Sequence, residues 1–163
     1  MTRSLDFGFS IEIPVIGEWE NVDMVRLSLQ TCVAMLFQDV DRRHTLAMVA
    51  GELLENAVKY ADRGDEVTVF RVRLWGNEVD AFVQVSNPIA EDNAGVVMDT
   101  VGRIEGADSV AAAYCQRMLE ISTSPSRMSR LGLLRIAYEG GCALKADIQN
   151  HILTITASLP CAT

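Results

Sequence analysis

The sequence predicts an α+β domain: a two-layer α/β sandwich with helices on one face of a mixed, mostly antiparallel sheet. Three observations carry that expectation. Segments of strand-like and helix-like periodicity are grouped in the order β, α, α, β, β, α, α, α, β, β. Grouped helices and hairpins build layers, whereas strict βαβ alternation builds a doubly wound fold. Two pairs of strands are separated only by the turn signals Gly76-Asn77 and Gln149-Asn150, which read as hairpins and so as antiparallel neighbours. The 163 residues fit a single domain over 1–163, large enough to bury about two thirds of its unfolded surface without staples.

The elements follow in order. Residues 6–15 alternate as a strand, ending near Pro14 and Gly17. Residues 22–38 place Val22, Val25, Leu29, Val33, Leu36 and Phe37 at helical spacing. Asp41 reads as the N-cap of a second helix running to about Ala61, stopped by Gly64. Strands over 66–75 and 78–86 follow, the second ended by Pro88. Helices over 94–105 and 107–122, a Ser/Pro loop at 122–126 and a helix over 131–139 come next, the last stopped by Gly140-Gly141. Strands over 143–148 and 151–158 close the chain.

Fourteen basic and twenty-two acidic residues leave a net charge of −8. Nucleic-acid surfaces need clustered Lys and Arg, so this balance argues against one. It leaves room for a nucleotide, which needs one local positive pocket. Cys32, Cys115, Cys142 and Cys161 form no Cys-x-x-Cys pair and only two histidines exist, so a zinc site is not expected. The four thiols read as reduced and mostly buried. The first residues show no apolar signal region, and no apolar run approaches the roughly 20 residues that span a bilayer. The expectation is a cytoplasmic protein with no membrane and no nucleic-acid partner. There is no Asp-His-Ser constellation and no Gly-x-Ser-x-Gly elbow.

The second helix carries the chemistry. Leu46, Ala50, Leu53, Ala57 and Ala61 form its core stripe. Glu52, Glu55, Asn56 and Lys59 fall at i, i+3, i+4 and i+7, on one face roughly opposite that stripe. An amide oxygen suits Mg²⁺, a carboxylate one turn away can orient a hydroxyl as general base, and a lysine can neutralise phosphate. A solvated helix face with a Glu55–Lys59 pair would show the same pattern.

Gly51-Glu52-Leu53-Leu54-Glu55-Asn56-Ala57-Val58-Lys59-Tyr60 resembles the N-box of GHKL ATPases, the superfamily of histidine kinases and anti-sigma-factor serine kinases. Its Glu-x-x-x-Asn form is similar to the anti-sigma branch, and its Asn-Ala-x-Lys-Tyr end to histidine kinases. By this resemblance Asn56 would hold Mg²⁺, Glu52 would be the catalytic base and Lys59 would reach a phosphate of ATP. The family's Asp-x-Gly-x-Gly landmark falls on Val85-Ser86-Asn87-Pro88-Ile89-Ala90. Asn87 stands where the family aspartate meets adenine, and its amide oxygen can accept that bond without a charge. A plain turn after a strand is the competing reading. The Gly-x-Gly-Leu-Gly landmark falls on Met128-Ser129-Arg130-Leu131-Gly132-Leu133. Two of its glycine positions are Met128 and Arg130. Arg130, with Leu131 and Gly132, would then line the phosphate side, with Arg127 an alternative source of charge; both arginines also read as plain loop residues.

The resemblance covers residues 40–160 in order, and 6–38 fit the anti-sigma branch's first strand and helix. It implies the Bergerat-type ATPase fold. It also implies a Mg-ATP-dependent regulatory protein, a Ser/Thr kinase of the anti-sigma or partner-switching type. Such a protein acts on a small antagonist or sigma-factor-like partner, and a homodimer is among its expected assemblies. The alternative is a pseudo-ATPase of the same fold that sequesters its partner without catalysis. No phosphoacceptor-histidine hairpin precedes the N-box region, so the expectation is a free-standing kinase or binding module instead of a complete histidine kinase.

Overall fold

The computed structural model describes residues 7–15, 22–62, 67–77, 79–123 and 131–160. In chain order they form β1 (Phe7–Val15), α1 (Val22–Leu36), α2 (Val40–Tyr60), β2 (Thr68–Gly76), β3 (Asp80–Pro88), α3 (Glu91–Glu105), α4 (Val110–Thr123), α5 (Leu131–Tyr138), β4 (Ala143–Gln149) and β5 (Ile152–Pro160). The five strands make one sheet in the order β1-β2-β3-β5-β4, and each neighbouring pair is antiparallel. The chain leaves the sheet after β3, makes three helices, and returns with β4 at the edge, so that β5 inserts between β4 and β3.

Strand alternation sorts the two faces. Phe70, Val72 and Leu74 of β2, Ala81, Val83 and Val85 of β3, and Leu153, Ile155 and Ala157 of β5 are buried. They join Leu46, Val49, Leu53 and Leu54 of α2, Val97 and Val101 of α3, and Leu133 and Ile136 of α5. Burying one such side chain contributes about 1.5–3 kcal/mol. The opposite face carries polar pairs between strands: Arg71 with Glu12, Gln84 with Thr156 at 2.9 Å and Ser86 with Thr154 at 2.9 Å. Trp75 and Phe82 stack there across β2 and β3, with ring centroids 5.3 Å apart. Helices on one face of an α+β sandwich are therefore what the grouped periodicity foretold.

Local differences from the sequence reading have local causes. The N-cap of α2 is Asp39, not Asp41: Asp39 is extended, at φ −66° and ψ 121°, and its carboxylate accepts from the Arg42 N–H at 2.9 Å. Asp41 lies instead in the first turn, where its charge favours the helix dipole. The helix ends at Tyr60 because the chain joins the end of β3. Ala61 bridges Ile89, and the Asp62 N–H donates to the Pro88 carbonyl at 3.1 Å. Gly64 lies outside the described residues. The β2–β3 turn is organised by Asn77, whose side-chain oxygen accepts from the N–H groups of Val79 at 2.8 Å and Asp80 at 2.9 Å. The β4–β5 turn sits one residue later than expected: Asn150 and His151 have φ of 52° and 62°, the left-handed pair that a tight antiparallel hairpin requires. Gly140-Gly141 does end α5, with Gly141 at φ +61°. Among the described cysteines only Cys142 is buried; Cys32 is half-buried and Cys115 exposed, so the thiols are less buried than expected. Burial pushes the Cys142 thiol up to about 11.

The capping assignment is testable. Asp39→Ala should lower stability by about 1 kcal/mol in urea unfolding, and Asp41→Ala by less, because it removes a charge and no cap.

Candidate functional site

Helix α2 is covered on several sides. It packs against α1, β3 and α5, and its buried residues include Asn56 alongside Leu53, Leu54, Ala57 and Tyr60. The polar quartet read from the sequence is therefore divided. Glu55 is exposed and forms an ion pair with Arg26 of α1, and Lys59 is exposed with its ammonium 5.4 Å from the centroid of the Tyr60 ring. Asn56 is only 7 % exposed. The Glu52 side chain, 17 % exposed, also turns inward. The expected outer face thus becomes two faces, because α5 lies over the Glu52/Asn56 edge and occupies what would otherwise be solvent.

Gly132 makes that approach possible. A Cβ at this position would stand 2.7 Å from Oε2 of Glu52 and 3.1 Å from Nδ2 of Asn56. The first turn of α5 therefore lies directly on the carboxylate and the amide, and any side chain at this position would have to push the end of Glu52 aside. Nδ2 of Asn56 is buried and has no hydrogen-bond partner among the described residues. Such a group carries a desolvation cost of about 1–3 kcal/mol, and a buried unpaired amide calls for an explanation. Leu131 and Gly132 open α5 beside it, half-buried, so the backbone N–H groups of a helix start lie close to this amide.

Glu52 has a partner that the sequence reading missed. Nη1 of Arg135, on α5, donates to Oε1 of Glu52 at 2.7 Å. Nε of the same guanidinium donates to Oε2 of Glu139 at 2.8 Å, and the Tyr114 hydroxyl of α4 donates to Oε1 of Glu139 at 3.0 Å. A chain of charge-assisted bonds thus runs from α2 through α5 to α4. The bond from Arg135 holds the Glu139 carboxyl below its ordinary value, and the bond from Tyr114 adds to this against partial desolvation. The bond to Glu139 raises the Tyr114 phenol, because ionising it would set two anions side by side. Glu139 and then Glu52 raise Arg135. The Arg135/Glu139 spacing of four residues at the end of α5 was legible as a pair. Nothing in the sequence tied it to Glu52 or Tyr114.

Asn87 is 2 % exposed, on the helix-covered face of β3 opposite Leu153. Its Nδ2 donates to the Pro88 carbonyl at 2.8 Å, which leaves the amide oxygen as the atom suited to accept from a ligand. Arg130, with Arg127 and Met128, lies outside the described residues. A separate cavity of about 160 Å³ opens between α3, α4 and α5, lined by Thr100, Arg103, Ile104, Arg117, Glu120 and Leu134 among others. No group of three His, Cys, Asp or Glu side chains among the described residues could hold a metal ion, so a protein-only metal centre is not formed there. No helix among them is long and apolar enough to cross a membrane.

Two outcomes follow from this geometry. Gly132→Ala should change stability by no more than about 1 kcal/mol in urea unfolding, because its methyl meets the movable end of Glu52 and Ala gains about 1 kcal/mol over Gly in a helix. Glu139 has a lowered carboxyl value, so its contribution to stability is present above the ordinary carboxylate range and is lost as pH falls through the lowered value. Between about pH 5 and pH 3 wild-type stability should therefore fall more steeply than that of Arg135→Met, in which the shift is largely removed.

No protein-family model matches the chain, and no curated protein matches its sequence. Among solved structures, a chain in the crystal structure of the SiaB–SiaC complex from Pseudomonas aeruginosa is similar in fold. Its TM-score is 0.66 and its identity 17 %, over 96 % of this chain and 89 % of that one. That likeness shows a shared fold.

Proposed function

We propose that this chain is an ATP-binding regulatory protein that phosphorylates a serine or threonine on a small partner protein, in the manner of partner-switching kinases. The observation that carries the reading is the buried Asn56 amide, unpaired at Nδ2 and set with Glu52 beneath the first turn of α5. By its resemblance to the GHKL N-box the same two residues would stand at a nucleotide, and the shared fold with a chain from a two-protein complex adds support.

The residues fit a Mg-nucleotide in a specific way. The Asn56 amide offers one hard oxygen ligand, and Mg²⁺ characteristically takes few protein ligands while keeping waters and phosphate oxygens. The N–H groups at the start of α5 are donors suited to phosphate. When bound, Mg-ATP would supply the transferable phosphoryl group. Glu52 would accept the proton of the partner's hydroxyl and orient that oxygen, while burial of Asn56 holds the metal ligand in place. Positioning and charge neutralisation carry most of the rate in such transfers. Lys59 and Arg130 would add positive charge, and the Asn87 oxygen would accept from the adenine amino group. We place the protein in the cytoplasm, where ATP is abundant.

A second reading keeps the fold and gives up catalysis. It is favoured by the Arg135–Glu52 bond, which occupies one oxygen of the proposed base. In that case the domain sequesters a regulatory partner without nucleotide.

Thermal unfolding with and without Mg-ATP separates the two. Ligand at about 100 times Kd should add about 2.7 kcal/mol, a rise of roughly 5–10 °C at this chain length. Asn56→Leu should lose that gain yet melt higher than wild type without ligand, because it removes the unpaired buried amide. No rise in the wild-type protein favours the binding-module reading.

A further inference from the structure

The bond chain Glu52–Arg135–Glu139–Tyr114 ends on helix α4. None of the residues of α4 is buried, and a cavity of about 160 Å³ lies between it, α3 and α5. Elements with little buried apolar contact open first. The seat of α4 on α5 includes Tyr114, through its bond to Glu139 and its ring contact with Tyr138, 4.8 Å between centroids.

Arg135 is the link between the two ends. Its side chain is 43 % exposed, and partly exposed ion pairs contribute little to stability. What its planar fork supplies is geometry, because two donors on one rigid group engage two carboxylates at fixed angles. Each oxygen of Glu139 is committed, one to Arg135 and one to Tyr114. A change at Glu52 therefore alters the share of Arg135 that Glu139 receives, and with it the acceptor that Tyr114 meets.

We propose that Arg135 is the positioning residue of the Glu52 carboxylate and that, through Glu139, it couples the state of Glu52 to the seating of α4 at Tyr114. The coupling rests on the proposed function only in assigning Glu52 to a nucleotide site. Engagement of Glu52 by a bound phosphate-metal group or a substrate hydroxyl would thereby be read on the outer helix α4.

The test uses the full chain labelled with 3-fluorotyrosine. The sequence has three tyrosines, so the ¹⁹F spectrum has three lines, assigned with Tyr114→Phe and Tyr138→Phe. Glu52→Gln, nearly isosteric, should displace the Tyr114 line, and the same substitution added to Arg135→Met should leave that line where Arg135→Met alone puts it. If Arg135→Met unfolds, Glu139→Gln breaks the chain one link further on and should abolish the response equally. A Tyr114 line unmoved by Glu52→Gln, or moved equally with the chain broken, overturns the proposal. Mg-ATP added to the wild-type protein keeps the two readings apart. Thermal stabilisation by Mg-ATP with a Tyr114 line deaf to Glu52→Gln sinks the coupling and leaves the nucleotide site standing. A Tyr114 line that responds to Glu52→Gln, with no stabilisation by Mg-ATP, leaves the coupling standing and sinks the nucleotide site.

Discussion

The packing of α2 between the sheet, α1 and α5 is the constraint on which the rest of the structure depends. Leu46, Val49, Leu53 and Leu54 are all within 1 % of full burial, and they bring the helix down on the inner face of β2, β3 and β5. Once α2 is seated, its other sides must be covered or solvated. Helix α1 covers one with Leu29 and Val33 and a cross-helix ion pair. Helix α5 covers another with Leu133 and Ile136, but along one edge it meets Glu52 and Asn56 through Gly132 and Arg135, and that polar edge is the candidate site.

That polar contact is tolerated because of one missing side chain. With Gly132 at the start of α5, a carboxylate and an amide can lie where a side chain at that position would otherwise be. The arrangement leaves the Asn56 nitrogen without a hydrogen bond, a cost that an apolar residue of the same shape would avoid. Strain and unmet polar groups of this sort collect where a ligand completes them. The carboxylate beside it is held by Arg135, so the site combines one unmet group with one that is tightly oriented.

The open face of the sheet follows a different logic. Its side chains pair across strands instead of meeting a second layer: carboxylate with guanidinium, amide with hydroxyl, ring with ring. Each such pair contributes a few tenths to about 1 kcal/mol. The stability of the domain therefore resides in the helix-covered layer, which is also the layer that holds the candidate site.

The sequence by itself determined the layers and most element boundaries. Period-two and helical patterns are local, and Gly76-Asn77 and Gly140-Gly141 punctuate them where the chain turns. It also placed Glu52 and Asn56 one turn apart on one helix, since i and i+4 share a face whatever surrounds it. Only the tertiary structure decided which groups that face would meet. Asn56 is buried and Lys59 exposed because α5 covers one edge of α2 and leaves the next in water, and that choice depends on packing between segments some 80 residues apart, as the Arg135–Glu52 bond shows. The cap moved from Asp41 to Asp39, and the second hairpin turn by one residue, because backbone geometry, not residue preference, chooses among adjacent candidates. For Asn87 the sequence left a turn and a ligand-facing amide equally open; the β3–β5 register sets it within β3, on the helix-covered face. Long-range packing decides such matters, and one-dimensional periodicity carries no record of it.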